Sequence, residues 1–214
     1  MTIDKITIIN WALTDLGVGA VYSVDDDSDL SVSIEHVWQR TTDECFAMHD
    51  WSFARRTTKL ARLVDPPQNG WTWSFDLPGD KIGDPIKIMA SISTPEPLRT
   101  FMIEGMRVHA HEPDLWAVCK CAVDPDHWDP AFRAAFTIAL SGYLAVPIAS
   151  DPNARDAKLQ EAFGTPGQQG TGGRFGRLMA QNKASQPVGQ PLLNQDPLSA
   201  ARWGNGAYPW HGSF

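Results

Sequence analysis

Apolar residues open the chain at helical spacing. Ile3, Ile6, Ile9, Leu13 and Leu16 fall on one stripe, which predicts a helix capped by Thr2 or Asp4 and stopped by Gly17 and Gly19. An acidic stretch, Asp25-Asp26-Asp27-Ser28-Asp29, leads into a second stripe of Leu30, Ile34, Val37, Trp38, Thr41, Cys45 and Met48. Asp27 or Ser28 is placed to cap that second helix, and the carboxylates favour its positive end.

Between Trp51 and Val123 the period changes to two. Trp71, Trp73, Phe75 and Leu77 alternate with polar residues, as do Met106, Val108 and Ala110, while Ile86, Ile88, Ala90 and Ile92, and then Leu115, Ala117, Cys119, Cys121 and Val123, form two further alternating runs. Pro66-Pro67, Asn69-Gly70, Pro78-Gly79 and Pro95-Glu96-Pro97 punctuate the runs, so the stretch reads as a small, largely antiparallel sheet. Helix returns at Asp129-Pro130, a cap followed by proline at the first helical position. Phe132, Phe136, Ala139, Leu140, Tyr143 and Leu144 line its buried side, and Pro147 and Asp151-Pro152 are expected to end it. A further helix runs from near Asn153 to about Phe163. Gly164 to Gly173 reads as a loop, and Arg174 to Asn182 as a last short helix.

This pattern predicts an α+β protein: a helical bundle with an inserted small antiparallel β-sheet lobe and an extended C-terminal tail. The expected boundaries are residues 1–51 and 124–182 for the helical body, 52–123 for the β-rich inserted lobe and 183–214 for the tail.

Composition sharpens the last boundary. The 214 residues are 43% hydrophobic and 20% charged, enough for one sizeable core, with a net charge of −7. Residues 164–214 hold 10 of the 17 glycines and 5 of the 16 prolines. Arg174, Arg177, Lys183 and Arg202 stand there against Asp196 alone, a net of +3, which leaves −10 for residues 1–163. An acidic body followed by a basic, Gly/Pro/Gln-rich tail argues against a general nucleic-acid binder and for a tail that needs a partner to order it. The start of the chain lacks the pattern of a signal peptide, and no run of about 18 apolar residues predicts a spanning helix. Three cysteines are too few for a disulfide scaffold, so synthesis in a reducing cytoplasm is expected.

Several constellations invite chemistry. His109-Ala-His111 and Cys119-Lys-Cys121 carry zinc-ligand residue types at a spacing that puts each pair on one strand face. The histidines share a polar face with Arg107, and the cysteines an apolar one with Leu115 and Val123. In a single sheet the pairs therefore point apart, as solvent histidines and core cysteines. Asp25, Asp27 and Asp29 resemble the start of a calcium loop, but Leu30 and His36 stand where it needs glycine and an acid. Gly170-Thr-Gly172-Gly173 lacks the Lys-Ser/Thr of a phosphate loop. Ser141-Gly142 lies inside a helix rather than on a nucleophile elbow. His127 among Asp124, Asp126 and Asp129 needs only a loop to hold it. No enzyme, cofactor or metal site is expected. In the tail, Leu192, Leu193, Leu198, Trp203, Tyr208, Trp210 and Phe214 are large apolar groups without a local core, and so are candidate anchors for a partner pocket. Folding back onto the chain's own body is the other reading of them.

The motifs also resemble a known family. His49-Asp-Trp51-Ser-Phe53-Ala54-Arg-Arg with Leu60-Ala61, Gly70-Trp71-Thr-Trp73-Ser-Phe75-Asp-Leu77-Pro78-Gly-Asp80, and Val123-Asp124-Pro125-x-x-Trp128-Asp129-Pro130-x-Phe132 with Leu140 and Leu144-Ala145 are similar to elements of the head-to-tail adaptor (tail tubular protein A-like) family of short-tailed bacteriophages. Ala12-Leu13-Thr-Asp-Leu16-Gly17 approximates that family's first-helix element. The resemblance spans roughly residues 8–163. The chain departs from it at the Cys-x-Cys, at the Gly164–Gly173 interruption and in its long aromatic tail.

The resemblance implies a structural virion protein at the head–tail junction, made in the host cytoplasm. It implies a homo-oligomer, a twelve-membered ring, that binds the portal protein and receives the tail nozzle or tube protein. DNA passes through the lumen without specific binding, and no membrane is involved. Another phage tail-completion or connector protein is the first alternative. A metal-binding enzyme using His109, His111, Cys119 and Cys121 is the second.

Overall fold

The computed structural model describes residues 2–19, 29–93, 96–168 and 170–185, with backbone alone at 29 and 30. The architecture is mixed α+β with antiparallel sheets. The chain divides into two units, residues 1–180 and 181–214. In the second, the described residues carry the end of the last helix, closed by Ser185 N–H donating to the Gln181 carbonyl at 3.0 Å.

Helix α1 (Lys5–Asp15) starts where expected, with Asp4 as its cap accepting from Thr7 N–H at 2.8 Å. Its buried face is Ile8, Ile9, Ala12 and Leu13, so Ile8 takes the place expected of Ile6, and Trp11 is 43% exposed. Helix α2 (Asp29–Ala47) buries Ile34, Trp38, Thr41, Cys45 and Phe46. Its expected caps, Asp27 and Ser28, lie outside the described residues.

Helix α3 (Pro130–Ala149) is capped by Asp129, which accepts from Ala131 N–H at 2.8 Å. It runs through Pro147, which was expected to stop it. Proline supplies the helical φ, and the helix forgoes only the bond its N–H would make to the Tyr143 carbonyl before ending two residues later. The helix closes at Ser150, a left-handed residue at φ 53°. On length and composition α3 is apolar enough to cross a membrane, with a mean hydropathy of 1.4, which corrects the expectation that no such segment exists. Of that window, 61% is buried inside the protein, as in a core helix.

Helix α4 (Pro152–Phe163), capped by Asp151, packs against α3. Gly142 permits that approach: a Cβ there would stand 2.9 Å from Leu159 Cδ2 and 3.2 Å from Lys158 Cβ. Helix α5 spans Gly173–Ala184 and carries the fully buried Phe175. The chain therefore keeps packing into its core past residue 164, where the composition first shifts. The glycines of the α4–α5 connection serve close backbone packing. A Cβ on Gly173 would meet the Ala162 carbonyl, and one on Gly176 the Thr171 carbonyl.

Among the described residues the seven strands lie between α2 and α3: β1 (Arg55–Lys59), β2 (Ala61–Arg62), β3 (Trp73–Asp76), β4 (Lys87–Met89), β5 (Met102–Glu104), β6 (Arg107–Ala110) and β7 (Trp116–Lys120). They form two sheets rather than the single one expected, in the orders β1-β7-β4 and β2-β3-β6-β5. Alternation tells which face a residue takes and says nothing of which strand it pairs with. The expected run from Ile86 to Ile92 shrinks to β4, and Ile92 is 60% exposed.

Two apolar clusters hold the first unit together. The helical one gathers α1, α2, α3, Ala162 and Phe175 with Trp51, Ala54 and Trp128. The other lies between the sheets. Ile88, Ala117 and Cys119 come from the three-stranded sheet, and Phe75, Val108 and Ala110 from the four-stranded one. Directly paired residues share a face, so the registers Ile88↔Ala117 and Phe75↔Val108 fix the inner face of each sheet. The two sheets therefore enclose one core between them, and their other faces are partly covered by the chain itself, where Lys120 donates to the His49 carbonyl at 3.0 Å and Met89 is buried.

Candidate functional site

The family-like motifs converge. Trp51 and Phe53 lie just after α2, around a short 3-10 turn at Ser52–Ala54, and Trp128 and Phe132 lie where the chain enters α3. Phe132 stands 5.0 Å from Trp51, 4.9 Å from Phe53 and 5.3 Å from Trp128, ring centre to ring centre. Phe46 joins the group at 5.6 Å from Trp128, and Phe175 at 5.7 Å from Phe132. These are edge-on and tilted contacts, the arrangements that ring quadrupoles favour. The two indole N–H groups are satisfied locally. Trp51 donates to the Cys45 carbonyl at 2.9 Å and Trp128 to the Val123 carbonyl at 2.8 Å.

The middle motif is tied in by charge. Arg56 donates to Asp80 at 2.6 Å, and that contact holds the Asp80 carboxyl below its ordinary value. The Trp128-x-x-x-Phe132 and Trp51-x-Phe53 elements were legible as motifs. Phe46 and Phe175 were missed as core residues. Helical spacing from Trp38 and Thr41 puts Phe46 at the margin of its stripe, and Phe175 stands alone among glycines and arginines.

The metal candidates separate. His109 and His111 lie on and just after β6, Cys119 and Cys121 on and just after β7, and the two strands belong to different sheets. Both cysteines face the inter-sheet core, where burial raises their thiols above the usual range. Among the described residues no group of three His, Cys, Asp or Glu is placed to hold a metal ion. His109 corrects the expectation of a solvent histidine, being 5% exposed on the outer face of its sheet. The Leu63–Asn69 segment walls the groove over it. His111 stays at the surface, with Thr72 Oγ1 at 2.8 Å from its Nδ1 and its ring tilted against Trp71.

His109 Nδ1 lies 2.8 Å from Ser74 Oγ and its Nε2 lies 3.4 Å from Glu104 Oε2. Asn69 also donates to Glu104, at 3.2 Å. Serine, imidazole and carboxylate in a row have the residue types of a nucleophilic relay. Here Ser74 and His109 are direct cross-strand partners, 3% and 5% exposed, and they satisfy one another as buried polar groups must. The row lines an open groove of about 910 Å³ with Val64, Pro66, Met106 and Arg107 around it.

The other sequence candidates have structural roles. Asp126 accepts from Ile3 N–H at 2.9 Å, and Asp129 caps α3. Ser141 Oγ donates to the Ile138 carbonyl within its helix. Asp25, Asp27 and the tail anchors Leu192, Leu193, Leu198, Trp203, Tyr208, Trp210 and Phe214 lie outside the described residues.

No protein-family model matches the chain, and no curated protein matches it.

Proposed function

We propose that this chain is a ring-forming head-to-tail adaptor of a short-tailed phage, joining the portal to the tail nozzle and forming part of the channel through which DNA leaves. One observation carries the reading. Three motifs that resemble the adaptor family, far apart in sequence, meet in space: Trp51 and Phe53 on Phe132, and Arg56 on Asp80. In this reading the helices form a bundle, residues 52–123 an inserted lobe and residues 183–214 a docking tail. The protein works by assembly rather than catalysis, and it needs no cofactor.

The charge balance supports the same use. A body of net −10 over residues 1–163 lining a channel does not bind the phosphate backbone through counterion release, so DNA passes without being held. The tail's apolar anchors, Trp203, Tyr208, Trp210 and Phe214 among them, are the groups large enough to offset the roughly 1–2 kcal/mol per residue that ordering a backbone costs. The portal is the partner proposed for them.

Native mass measurement of the purified protein, with and without portal rings, tests the assembly. A twelve-copy ring on the portal is expected. A complex of another symmetry favours a tail-completion protein, and a monomer in both conditions removes the adaptor reading. Deleting residues 190–214 is expected to leave the melting temperature nearly unchanged and to abolish portal attachment. Undiminished attachment would sink the docking tail, and a truncated chain that fails to fold would assign those residues to its own core.

A further inference from the structure

The segment between β2 and β3 carries Asn69-Gly70, an exposed pair at a turn. The turn sets Gly70 at φ 85°, in the left-handed region where a side chain is strained, so it calls for glycine. The same lack of a Cβ leaves the Gly70 nitrogen unshielded beside the Asn69 side-chain amide. Nothing beyond its chain neighbours stands within 4 Å of where a Cβ would be. The other described asparagines, Asn10, Asn153 and Asn182, lie on α1, α4 and α5 and precede Trp11, Ala154 and Lys183. There a helical backbone fixes the following nitrogen, and a side chain crowds it.

Asn69 also fastens one wall of the groove over His109. Its Nδ2 donates to Glu104 Oε2 at 3.2 Å, and that oxygen lies 3.4 Å from His109 Nε2. The bond ties residues 63–69 to β5 at one end. At the other end Leu63 N–H donates to the Ser74 carbonyl at 2.8 Å. Pro66 and Pro67, between them, have no N–H to give. The tie at Asn69 therefore depends on a neutral donor meeting a carboxylate. The surroundings are acidic: Asp65 stands on the segment itself, and Arg107, a cation lining the groove, already faces Asp76 at 3.6 Å.

We propose that Asn69 is a site of spontaneous deamidation, and that the product releases residues 63–69 from Glu104 and opens the groove over His109. The Gly70 nitrogen attacks Asn69 Cγ. A bond forms between that nitrogen and Cγ, and the Cγ–Nδ2 bond breaks. The proton from Gly70 passes through water to Nδ2, which leaves as ammonia. Water then adds to either carbonyl of the cyclic imide and opens it to aspartate or, with the main chain rerouted through the side chain, to isoaspartate. No electrons are exchanged, and water is the only co-reactant. Such loss is what makes exposed asparagine a heat-labile residue. Either product puts a carboxylate where Glu104 had a donor, so a hydrogen bond becomes a repulsion between like charges. Arg107 is held by Asp76 and does not relieve it. Ser74 and His109, 3% and 5% exposed in the intact protein, then become accessible. The chemistry is local to one copy and is independent of the adaptor reading.

Ageing the full-length protein at pH 8, followed by digestion and mass measurement of its peptides, tests the site. The Asn69 peptide is expected to convert to a mixture of aspartate and isoaspartate at least tenfold faster than the Asn10 and Asn153 peptides. The tail pair Asn205-Gly206 falls on a different peptide and is scored apart. An Asn69 that converts no faster than Asn153 overturns the site. Amide hydrogen exchange over residues 63–70 tests the release. Exchange is expected to be several-fold faster in Asn69→Asp than in the wild type. Adding Glu104→Gln, whose amide can donate to the new carboxylate, is expected to bring it back toward the wild-type rate. Circular dichroism establishes that the variants fold, and aged wild-type protein compared with fresh protein supplies the same readout if they do not. Exchange that is unchanged by Asn69→Asp or by ageing overturns the release. So does an increase that Glu104→Gln leaves untouched.

Discussion

Trp51 and Phe132 meet edge to face, ring centres 5.0 Å apart at an angle of 66°, and join the chain on either side of all seven strands. Both are buried to within 2% of full enclosure, and their neighbours Phe46, Phe53, Trp128 and Phe175 are themselves aromatic. Phe132→Ala leaves a cavity that stiff rings collapse into poorly. The expected loss is about 3–5 kcal/mol, read as a lower urea midpoint with the same slope. A loss under about 1 kcal/mol would mean that the cluster does not hold the two ends together.

Gly142 predicts a steric limit between α3 and α4. Alanine there would gain about 1 kcal/mol of helix propensity while pressing on Leu159, so its net effect is small. Leucine has no such room. Gly142→Leu is expected to destabilise by about 3 kcal/mol, and pairing it with Leu159→Ala should recover part of the loss. Thermal melts of the two single variants and the double variant measure the coupling.

Phe175 separates two truncations. Ending the chain at residue 185 keeps this ring, its stack on Phe163 at 5.3 Å and its contact with Phe132. Ending it at residue 172 removes them, with an expected loss of about 3 kcal/mol or more. Equal melting temperatures for the two truncated chains would contradict the placement of α5.

Acid should weaken the Arg56–Asp80 pair. The Arg56 hydrogen bond depresses the native Asp80 carboxyl, so the native state binds fewer protons than the unfolded chain near pH 4. The stabilisation is present above the unfolded value of 3.8 and is lost as pH falls through the lower native one. The pair is exposed, so it contributes about 0.5 kcal/mol after solvent screening. The gap in melting temperature between wild type and Asp80→Asn should be constant from pH 5 to 7 and close below pH 4. A gap that widens in acid would reverse the sign.

Elemental analysis should find no stoichiometric zinc, because the cysteines face the inter-sheet core and His109 faces outward from the other sheet. About one zinc per chain, lost on Cys119→Ser, would overturn this.

Much of the helical part was legible in local pattern. Asp4 and Asp129 announce helix starts because a cap acts on backbone groups two or three residues away, while Asp151, read as part of a stop, is the cap of α4. Phe132, Phe136, Ala139, Leu140 and Leu144 are buried as their spacing predicts, and Cys119 and Cys121 as their alternation does. Ile8 in place of Ile6 on α1 marks the limit of that reading, because a short helix rotates to suit what covers it.

The sequence by itself determined which segments are helical, the inward side of α3 and of the Cys119–Cys121 run, and that charge is distributed unequally between body and tail. These follow from backbone capping and from periods of 3.6 and two, which act over a few residues. Only the tertiary structure decided that the strands split into two sheets, that His109 is buried against Ser74, and that Phe175 enters the helical core. Each of these depends on which distant strand or helix lies alongside, and pairing partners are chosen by the packing of the whole core rather than by neighbours in the chain.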